Sequence, residues 1–321
     1  MKKILITRQI LPEFIDDLAN KYEVDMYQDS DTTMPRDELL ARAKGVHGIL
    51  CMLTDKVDQE LLDAAGDQLE AISTMSVGFD HVNTALLQER GVRLGYTPDV
   101  LTDSVADTTI ALMLTASRRI PEAISAAKDG KWGTWSPYWL TGQDLSRSTV
   151  GIVGLGAIGV EVAKRLSGFG CKIIYSSRTR KQQLEAELGL EYVSQADLLK
   201  RSDFVSIHSA LTPETANLCD EAFFAQMKPT AVFVNTSRGG LVDQAALYNA
   251  LSQNKIYAAG LDVTTPEPLP ADNPLFSLKN CVILPHIGSA SIRTRSEMTQ
   301  IAIANLDLAL EGAAMKHEVV L

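Results

Sequence analysis

A short glycine-rich segment near the middle of the chain constrains the fold more than any other feature. Residues 154–159 read Gly-Leu-Gly-Ala-Ile-Gly, directly after the apolar run 150–153 and before a helical pattern. In this strand–turn–helix setting Gly154 permits a tight turn, Gly156 lets a ligand approach the backbone, and Gly159 lets helix and strand pack closely. The helix N-terminus offers unpaired N–H groups to phosphates. The segment therefore predicts a dinucleotide-binding loop formed by Gly154, Leu155, Gly156, Ala157, Ile158 and Gly159.

The rest of the chain alternates short apolar runs with longer amphipathic stretches. This alternation is typical of parallel β-sheets covered by helices on both faces. It predicts strands at 3–6, 47–50, 69–73, 149–153, 173–175, 204–207, 231–235, 258–263 and 282–284. It predicts helices at 12–21, 35–43, 58–65, 104–119 and 291–310, with Asp103 as the N-cap of the fourth.

The length of the chain predicts two domains, because 321 residues exceed the usual size of one. The order of the elements indicates two doubly wound α/β units, one inserted in the other. We expect a dinucleotide-binding domain over residues 101–285. We expect a substrate domain made of residues 1–100 and 286–321, so that the final helix returns to the first unit.

Composition excludes several classes of function. The net charge is −10 with no run of Lys or Arg, which argues against a nucleic-acid surface. The apolar run at the N-terminus stops at Thr7, too short for a signal peptide, and no apolar stretch could span a bilayer. The chain has four cysteines, Cys51, Cys171, Cys219 and Cys281. They are far apart and lack CxxC spacing, which favours reduced thiols over disulfides or a zinc site. We expect a soluble cytoplasmic protein without a metal.

The turn that follows the next predicted strand bears on the choice of cofactor. Loops that bind NAD place an acidic residue about 20 residues further on, where it accepts hydrogen bonds from the ribose. Here that position is Ser176, and the turn continues as Ser-Arg-Thr-Arg-Lys over residues 177–181. A carboxylate would repel a 2′-phosphate, whereas hydroxyls and a guanidinium bind it, although a solvated basic turn would have the same composition. We expect NADPH (NADP) as the cofactor, held by Ser176, Ser177, Arg178 and Thr179.

Three polar residues follow predicted strands in otherwise apolar surroundings. They are Arg238 in Asn-Thr-Ser-Arg-Gly, Glu267 in Pro-Glu-Pro and His286 in Leu-Pro-His-Ile-Gly. Open α/β sheets bind ligands at such strand ends. In the reduction of a 2-keto acid, His286 could supply the proton, Glu267 could orient its ring, and Arg238 could stabilise the developing alkoxide. Each residue alone also has an ordinary structural explanation, so the prediction depends on their combination.

These three motifs resemble those of the D-isomer-specific 2-hydroxyacid dehydrogenase family. The resemblance extends over nearly the whole chain, through the segment 76–81, the glycine-rich loop and the helix after Ser104. It implies a Rossmann dinucleotide-binding domain inserted in a flavodoxin-like substrate domain. It also implies that His286 is the proton donor, that Glu267 pairs with it, and that Arg238 binds the substrate.

The resemblance implies further contacts with substrate and cofactor. The backbone amides of Val77 and Gly78 would hold the substrate carboxylate, since glycine permits close approach. Ser289 would lie beside the substrate. Four residues would line the nicotinamide side, the first two mainly through their backbone: Ala210, Thr236, Asp262 and Gly288.

The aromatic segment 130–147 corresponds to a loop that members of the family use for dimerisation. It contains all three tryptophans of the chain, Trp132, Trp135 and Trp139. Three exposed tryptophans would be unusual in a monomer, so the segment predicts a homodimer. A loop that covers its own domain would also bury aromatic side chains.

Within the family, segments 135–140 and 278–286 and the Ser-Ser-Arg turn are most similar to members that reduce glyoxylate to glycolate and hydroxypyruvate to D-glycerate. Formate dehydrogenases pair the histidine with Gln, so Glu267 argues against them. Phosphoglycerate dehydrogenases usually carry an acidic ribose-binding residue and often a regulatory domain. Dinucleotide-sensing corepressors have the same fold, but we expect them to prefer NADH and to carry partner-binding tails, and this compact chain shows neither.

Overall fold

The chain forms two units in the computed structural model, which describes residues 1–321. The first unit comprises Met1–Leu101 and Ser291–Leu321, and the second comprises Thr102–Ala290. The second unit thus extends beyond the predicted boundary at residue 285 and includes His286. The reason is that hydrogen bonds from Asp262 and Ser104 tie the residues after His286 to the second unit.

The first unit is built on a five-stranded parallel sheet. Its strands are β1 (Lys3–Ile6), β2 (Glu23–Met26), β3 (Gly48–Cys51), β4 (Ala71–Thr74) and β5 (Arg93–Gly95). Four helices connect them: α1 (Asp16–Lys21), α2 (Arg36–Arg42), α3 (Gln59–Ala65) and α4 (Thr84–Arg90). The strand order is β2-β1-β3-β4-β5, which is the flavodoxin-like order.

The second unit contains a seven-stranded parallel sheet. Its strands are β6 (Thr149–Val153), β7 (Lys172–Ser176), β8 (Glu191–Tyr192), β9 (Phe204–Ile207), β10 (Val232–Asn235), β11 (Ala258–Leu261) and β12 (Cys281–Ile283). Its helices are α5 (Thr102–Ser117), α6 (Ile120–Lys128), α7 (Ala157–Ser167), α8 (Gln182–Leu188), α9 (Gln195–Arg201), α10 (Glu221–Ala225) and α11 (Gln244–Ser252). The order β12-β11-β10-β9-β6-β7-β8 is that of a Rossmann sheet, which confirms the predicted fold class.

The start of α5 differs from its prediction. The helix begins at Thr102, so Asp103 lies in its first turn and is not the N-cap. The carboxylate of Asp103 accepts a hydrogen bond of 2.8 Å from Arg165 of α7. The predicted helix also ends early: Arg119 has a φ of 53°, in the left-handed region, and it separates α5 from α6. The expected N-cap was wrong because the acidic side chain pairs with a neighbouring helix.

The last helix, α12 (Ile292–Leu310), packs on the sheet of the first unit. Ser291 caps it, since its hydroxyl accepts a hydrogen bond from the Thr294 N–H. Two glycines let the helix approach the sheet. A Cβ at Gly48 would lie 2.9 Å from a methyl of Leu306, and one at Gly95 would lie 2.7 Å from Asn305. None of the helices combines the length and the apolar character needed to cross a membrane.

Candidate active site

The predicted site residues of the second unit all lie at one edge of its sheet. Because the strands are parallel, the segments that follow them emerge at the same, carboxyl, edge. The order of the sheet reverses between β6 and β9, where sheets of this kind bind their ligands. After or at the ends of the strands come the glycine-rich loop (β6), Ser176 (β7), Ala210 (β9), Thr236 and Arg238 (β10), Asp262 and Glu267 (β11), and His286, Gly288 and Ser289 (β12).

The glycine-rich loop has the geometry of a phosphate cradle. Gly154 has a φ of 93°, and a Cβ there would lie 2.8 Å from the backbone of His208. A Cβ at Gly159 would lie 2.5 Å from the carbonyl oxygen of Gly154, so only glycine permits this packing of α7 on β6. At Gly156 a Cβ would meet no atom within 4 Å, and no side chain caps the helix that begins there. Open space in front of an uncapped helix N-terminus fits a pyrophosphate.

Two arginines in the turn after β7, Arg178 and Arg180, have different surroundings. Arg180 donates hydrogen bonds of 2.9 and 2.7 Å to Glu185 of α8, and its guanidinium lies 5.6 Å from the centroid of the Tyr192 ring. Arg178 is exposed. The backbone N–H of Gly154 donates to the carbonyl of Ser176 over 2.8 Å, which ties this turn to the glycine-rich loop. Arg178 is therefore an exposed cation of the turn that is not paired with Glu185.

A histidine–carboxylate pair lies at the ends of β11 and β12. Nδ1 of His286 is 2.7 Å from Oε2 of Glu267, whose other oxygen accepts the Thr264 N–H over 2.9 Å. Burial alone would raise the pKa of Glu267, but the hydrogen bond from His286 and the charge of Arg238 hold that pKa below its ordinary value. The ionised carboxylate must accept from Nδ1–H, so Nε2 of His286 remains to exchange a proton.

A buried aspartate holds the segment that carries His286. Asp262 is 2% exposed, and its two oxygens accept the N–H groups of Ile287 and Gly288, each over 2.7 Å. A Cβ at Gly288 would lie 2.8 Å from this carboxylate. Ser104 donates to the carbonyl of Gly288 over 2.8 Å. Burial raises the pKa of Asp262 despite the two N–H donors. These bonds keep residues 286–290 in the second unit and explain the shifted boundary.

The turn that carries Arg238 is organised by a residue that the sequence analysis missed. Asn235 is buried at the end of β10, where its amide donates to the Arg238 carbonyl over 2.9 Å and its oxygen accepts the Ser237 N–H over 3.0 Å. Ser237 in turn donates to the carbonyl of Ser209 over 2.6 Å. The available signal was an amide side chain that directly ends an apolar strand, since such a group needs buried partners.

In the first unit, Val77 and Gly78 follow β4 and are half-buried. Neither of their backbone N–H groups donates a hydrogen bond to another backbone carbonyl. Two adjacent unpaired amides can bind an anion such as a carboxylate.

No group of three or more His, Cys, Asp or Glu residues is arranged to hold a metal ion.

The chain is similar to known proteins over most of its length. Residues 110–288 match the family described as D-isomer specific 2-hydroxyacid dehydrogenase, NAD binding domain. The chain is 50% identical over 320 residues to the glyoxylate reductase/hydroxypyruvate reductase of Homo sapiens, covering 99% of this chain and 98% of the human protein.

The fold is also similar to that of solved structures. The TT0316 protein of Thermus thermophilus superposes with a TM-score of 0.92 at 42% identity, covering 99% of this chain and all of that one. An NADPH-dependent glyoxylate/hydroxypyruvate reductase of Sinorhizobium meliloti, in complex with NADP and malonate, superposes with a TM-score of 0.84 at 31% identity, covering 99% and 97%.

The fold and the site define an oxidoreductase that uses a nicotinamide dinucleotide. The chain belongs to the D-isomer-specific 2-hydroxyacid dehydrogenase family, as its motifs predicted. Small keto acids are substrates consistent with this family.

Proposed function

We propose that the protein reduces glyoxylate to glycolate and hydroxypyruvate to D-glycerate, with NADPH as the cofactor and His286 as the proton donor. The observation that carries this proposal is the 2.7 Å pair of His286 and Glu267 at the sheet edge that also presents Arg238 and the glycine-rich loop. The names of the human and Sinorhizobium relatives support both substrates.

The chain's own residues would bind the keto acid and protonate it. The bound cofactor supplies a hydride to the carbonyl carbon. Arg238 holds the carbonyl oxygen and offsets the charge that develops there, while the amides of Val77 and Gly78 bind the carboxylate. Nε2 of His286 gives its proton to the oxygen, and Glu267 stabilises the ring while it is charged. Ser289, three residues after His286, would also contact the substrate.

The turn after β7 supports NADPH as the cofactor. Ser176 replaces the acidic residue that would repel a 2′-phosphate, and exposed Arg178 offers a positive charge to it. The first unit would serve as the substrate domain and the second as the dinucleotide-binding domain. The remaining proposed cofactor contacts are Leu155, Ala157, Ile158, Ser177, Thr179, Ala210, Thr236, Asp262 and Gly288.

Steady-state kinetics on a panel of 2-keto acids, with each cofactor in turn, tests this function. We expect kcat/KM for glyoxylate and hydroxypyruvate to be about tenfold or more higher with NADPH than with NADH, a difference of about 1.4 kcal/mol. Equal or reversed rates would contradict the cofactor assignment. Turnover of a phosphorylated three-carbon keto acid in preference to both substrates would contradict the substrate assignment.

The aromatic segment 130–147 supports a homodimer. Its side chains Trp132, Trp135 and Tyr138 are 73%, 82% and 85% exposed. Aromatic side chains with so much exposed apolar surface are typical of protein interfaces. A second copy of this chain is the partner we propose.

The four cysteines are free thiols, which supports a reducing compartment such as the cytoplasm.

A further inference from the structure

A line of hydrogen bonds in the first unit leads to the loop of Val77 and Gly78. Nε2 of His81 lies 3.0 Å from the Thr74 hydroxyl, which lies 2.8 Å from the Ser76 hydroxyl. The Ser76 hydroxyl donates to the carbonyl oxygen of Gly78 over 2.7 Å. Thr74 and Ser76 are both buried, so water does not compete for these hydroxyls.

The chemistry of the groups determines the direction of every bond in this line. The Gly78 carbonyl can only accept, so the single hydrogen of Ser76 points to it. Thr74 must then donate to Ser76, and it can only accept from His81, which must carry a hydrogen on Nε2.

The line restrains the backbone on both sides of the two amides. By bonding to the carbonyl two residues on, Ser76 closes a small ring that limits the dihedral angles of Val77 and Gly78. The carbonyl of Ser76 itself accepts the Thr97 N–H over 2.9 Å. Since a trans peptide is planar, anchoring this oxygen directs the Val77 N–H to the opposite side.

We propose that Thr74, Ser76 and His81 are positioning residues that orient the amides of Val77 and Gly78 for the substrate carboxylate before it binds. The inference rests on the proposed function of those amides. Donors that are already oriented need no reorganisation when the anion arrives, and this lowers the cost of binding. Loss of the line should therefore weaken binding of the keto acid and leave the cofactor unaffected.

Two matched pairs of variants in β4 and the following turn test the proposal. Thr74→Val removes the hydroxyl at constant shape, whereas Thr74→Ser keeps it. Ser76→Ala breaks the bond to Gly78, whereas Ser73→Ala removes a neighbouring buried hydroxyl that has no hydrogen-bond partner. We expect Thr74→Val and Ser76→Ala to raise the KM for glyoxylate about tenfold. The kcat, the dissociation constant of NADPH and the kinetics of Thr74→Ser and Ser73→Ala should stay near those of the wild type.

An unchanged KM in Thr74→Val and Ser76→Ala, or an equal rise in Ser73→Ala, would overturn the proposal. Binding of oxamate, a 2-keto acid analogue that cannot be reduced, separates this result from the proposed function. Its affinity for the NADPH-loaded protein should fall in parallel with the rise in KM. If the wild type binds oxamate but reduces neither glyoxylate nor hydroxypyruvate, the proposed function fails, and the oxamate affinities of the variants still decide the role of the line.

The tautomer of His81 provides a readout that a merely structural role would not specify. Nitrogen NMR of the ¹⁵N-histidine-labelled wild type should show a hydrogen on Nε2 of His81. A neutral ring with its hydrogen on Nδ1 alone would contradict the derived bond directions.

Discussion

Nδ1 of His286 lies 2.7 Å from a carboxylate oxygen of Glu267, and this pairing determines which ring nitrogen can exchange a proton. His286 has a φ of 55°, in the left-handed region, so its backbone is held away from the conformation of an ordinary strand end. The carboxylate of Asp262 accepts hydrogen bonds from the backbone N–H groups of Ile287 and Gly288, the two residues that follow His286. The orientation of the imidazole is thus set by two carboxylates, one at the ring and one at the backbone.

Replacing the proposed proton donor should abolish catalysis without affecting cofactor binding. His286→Asn keeps a group that can hydrogen-bond to Glu267 but cannot donate a proton, so kcat should fall by about 10²–10⁴-fold. Fluorescence titration should give a dissociation constant for NADPH close to that of the wild type. Loss of NADPH binding in this variant would contradict the assigned role.

The depressed pKa of Glu267 predicts how stability depends on pH. A carboxyl whose pKa is lower in the folded state stabilises the fold in full above the unfolded value, about 4.3, and loses this effect as pH falls through the folded value. Glu267→Gln should therefore lower the thermal midpoint at pH 7, and the difference from the wild type should shrink below about pH 4. Glu13→Gln, at an exposed position, is the control. A difference that grows on acidification would refute the assigned direction.

The two arginines after β7 should respond differently to substitution. Arg178→Ala should raise the KM for NADPH about tenfold or more, because a charge-assisted hydrogen bond contributes ~1.5–3 kcal/mol, and should leave the KM for NADH unchanged. Arg180→Ala should have a smaller effect on NADPH, since Arg180 already pairs with Glu185. Equal losses for both cofactors in Arg178→Ala would show that this side chain does not recognise the 2′-phosphate.

Removing the charge of Asp262 should destabilise the second unit. Asp262→Asn replaces one of two acceptors by an N–H₂ group that faces a backbone N–H, at a cost of about 1–3 kcal/mol. Urea denaturation measures this loss, and Asp272→Asn at an exposed position serves as the control. Equal stability of the two variants would mean that the Asp262 hydrogen bonds do not hold the segment after β12.

The exposed aromatic side chains predict a change in oligomeric state on substitution. The double variant Trp135→Ser with Tyr138→Ser should shift a dimer towards monomer in sedimentation velocity at micromolar concentration. Phe276→Ser, which removes an exposed aromatic side chain outside segment 130–147, should leave the dimer intact. A wild-type protein that sediments as a monomer at all concentrations would exclude the proposed dimer.

The sequence predicted most strands because buried parallel strands are continuous apolar runs. The three strands it missed, β2, β5 and β8, lack that signal. β8 has only two residues, Glu191 and Tyr192. β2 reads Glu-Val-Asp-Met at the edge of its sheet, and β5 has only three residues. The N-cap expected at Asp103 failed because an acidic side chain near a helix start can also pair with a neighbouring helix, here through Arg165. Local pattern cannot distinguish these two partners.

The sequence by itself determined the glycine-rich loop, the alternation that produces two parallel sheets, and the residue types Arg238, Glu267 and His286 at strand ends. These depend on local conformational preference and on burial, which neighbouring residues already specify. Only the tertiary structure decided which groups pair: Asn235 with the Arg238 turn, Asp262 with the amide of Gly288, and the line of hydroxyls that ends at Gly78. A hydrogen bond depends on the distance and direction between two particular groups, whether they are close in sequence, as Ser76 and Gly78 are, or 26 residues apart, as Asp262 and Gly288 are, and only the folded backbone sets that geometry.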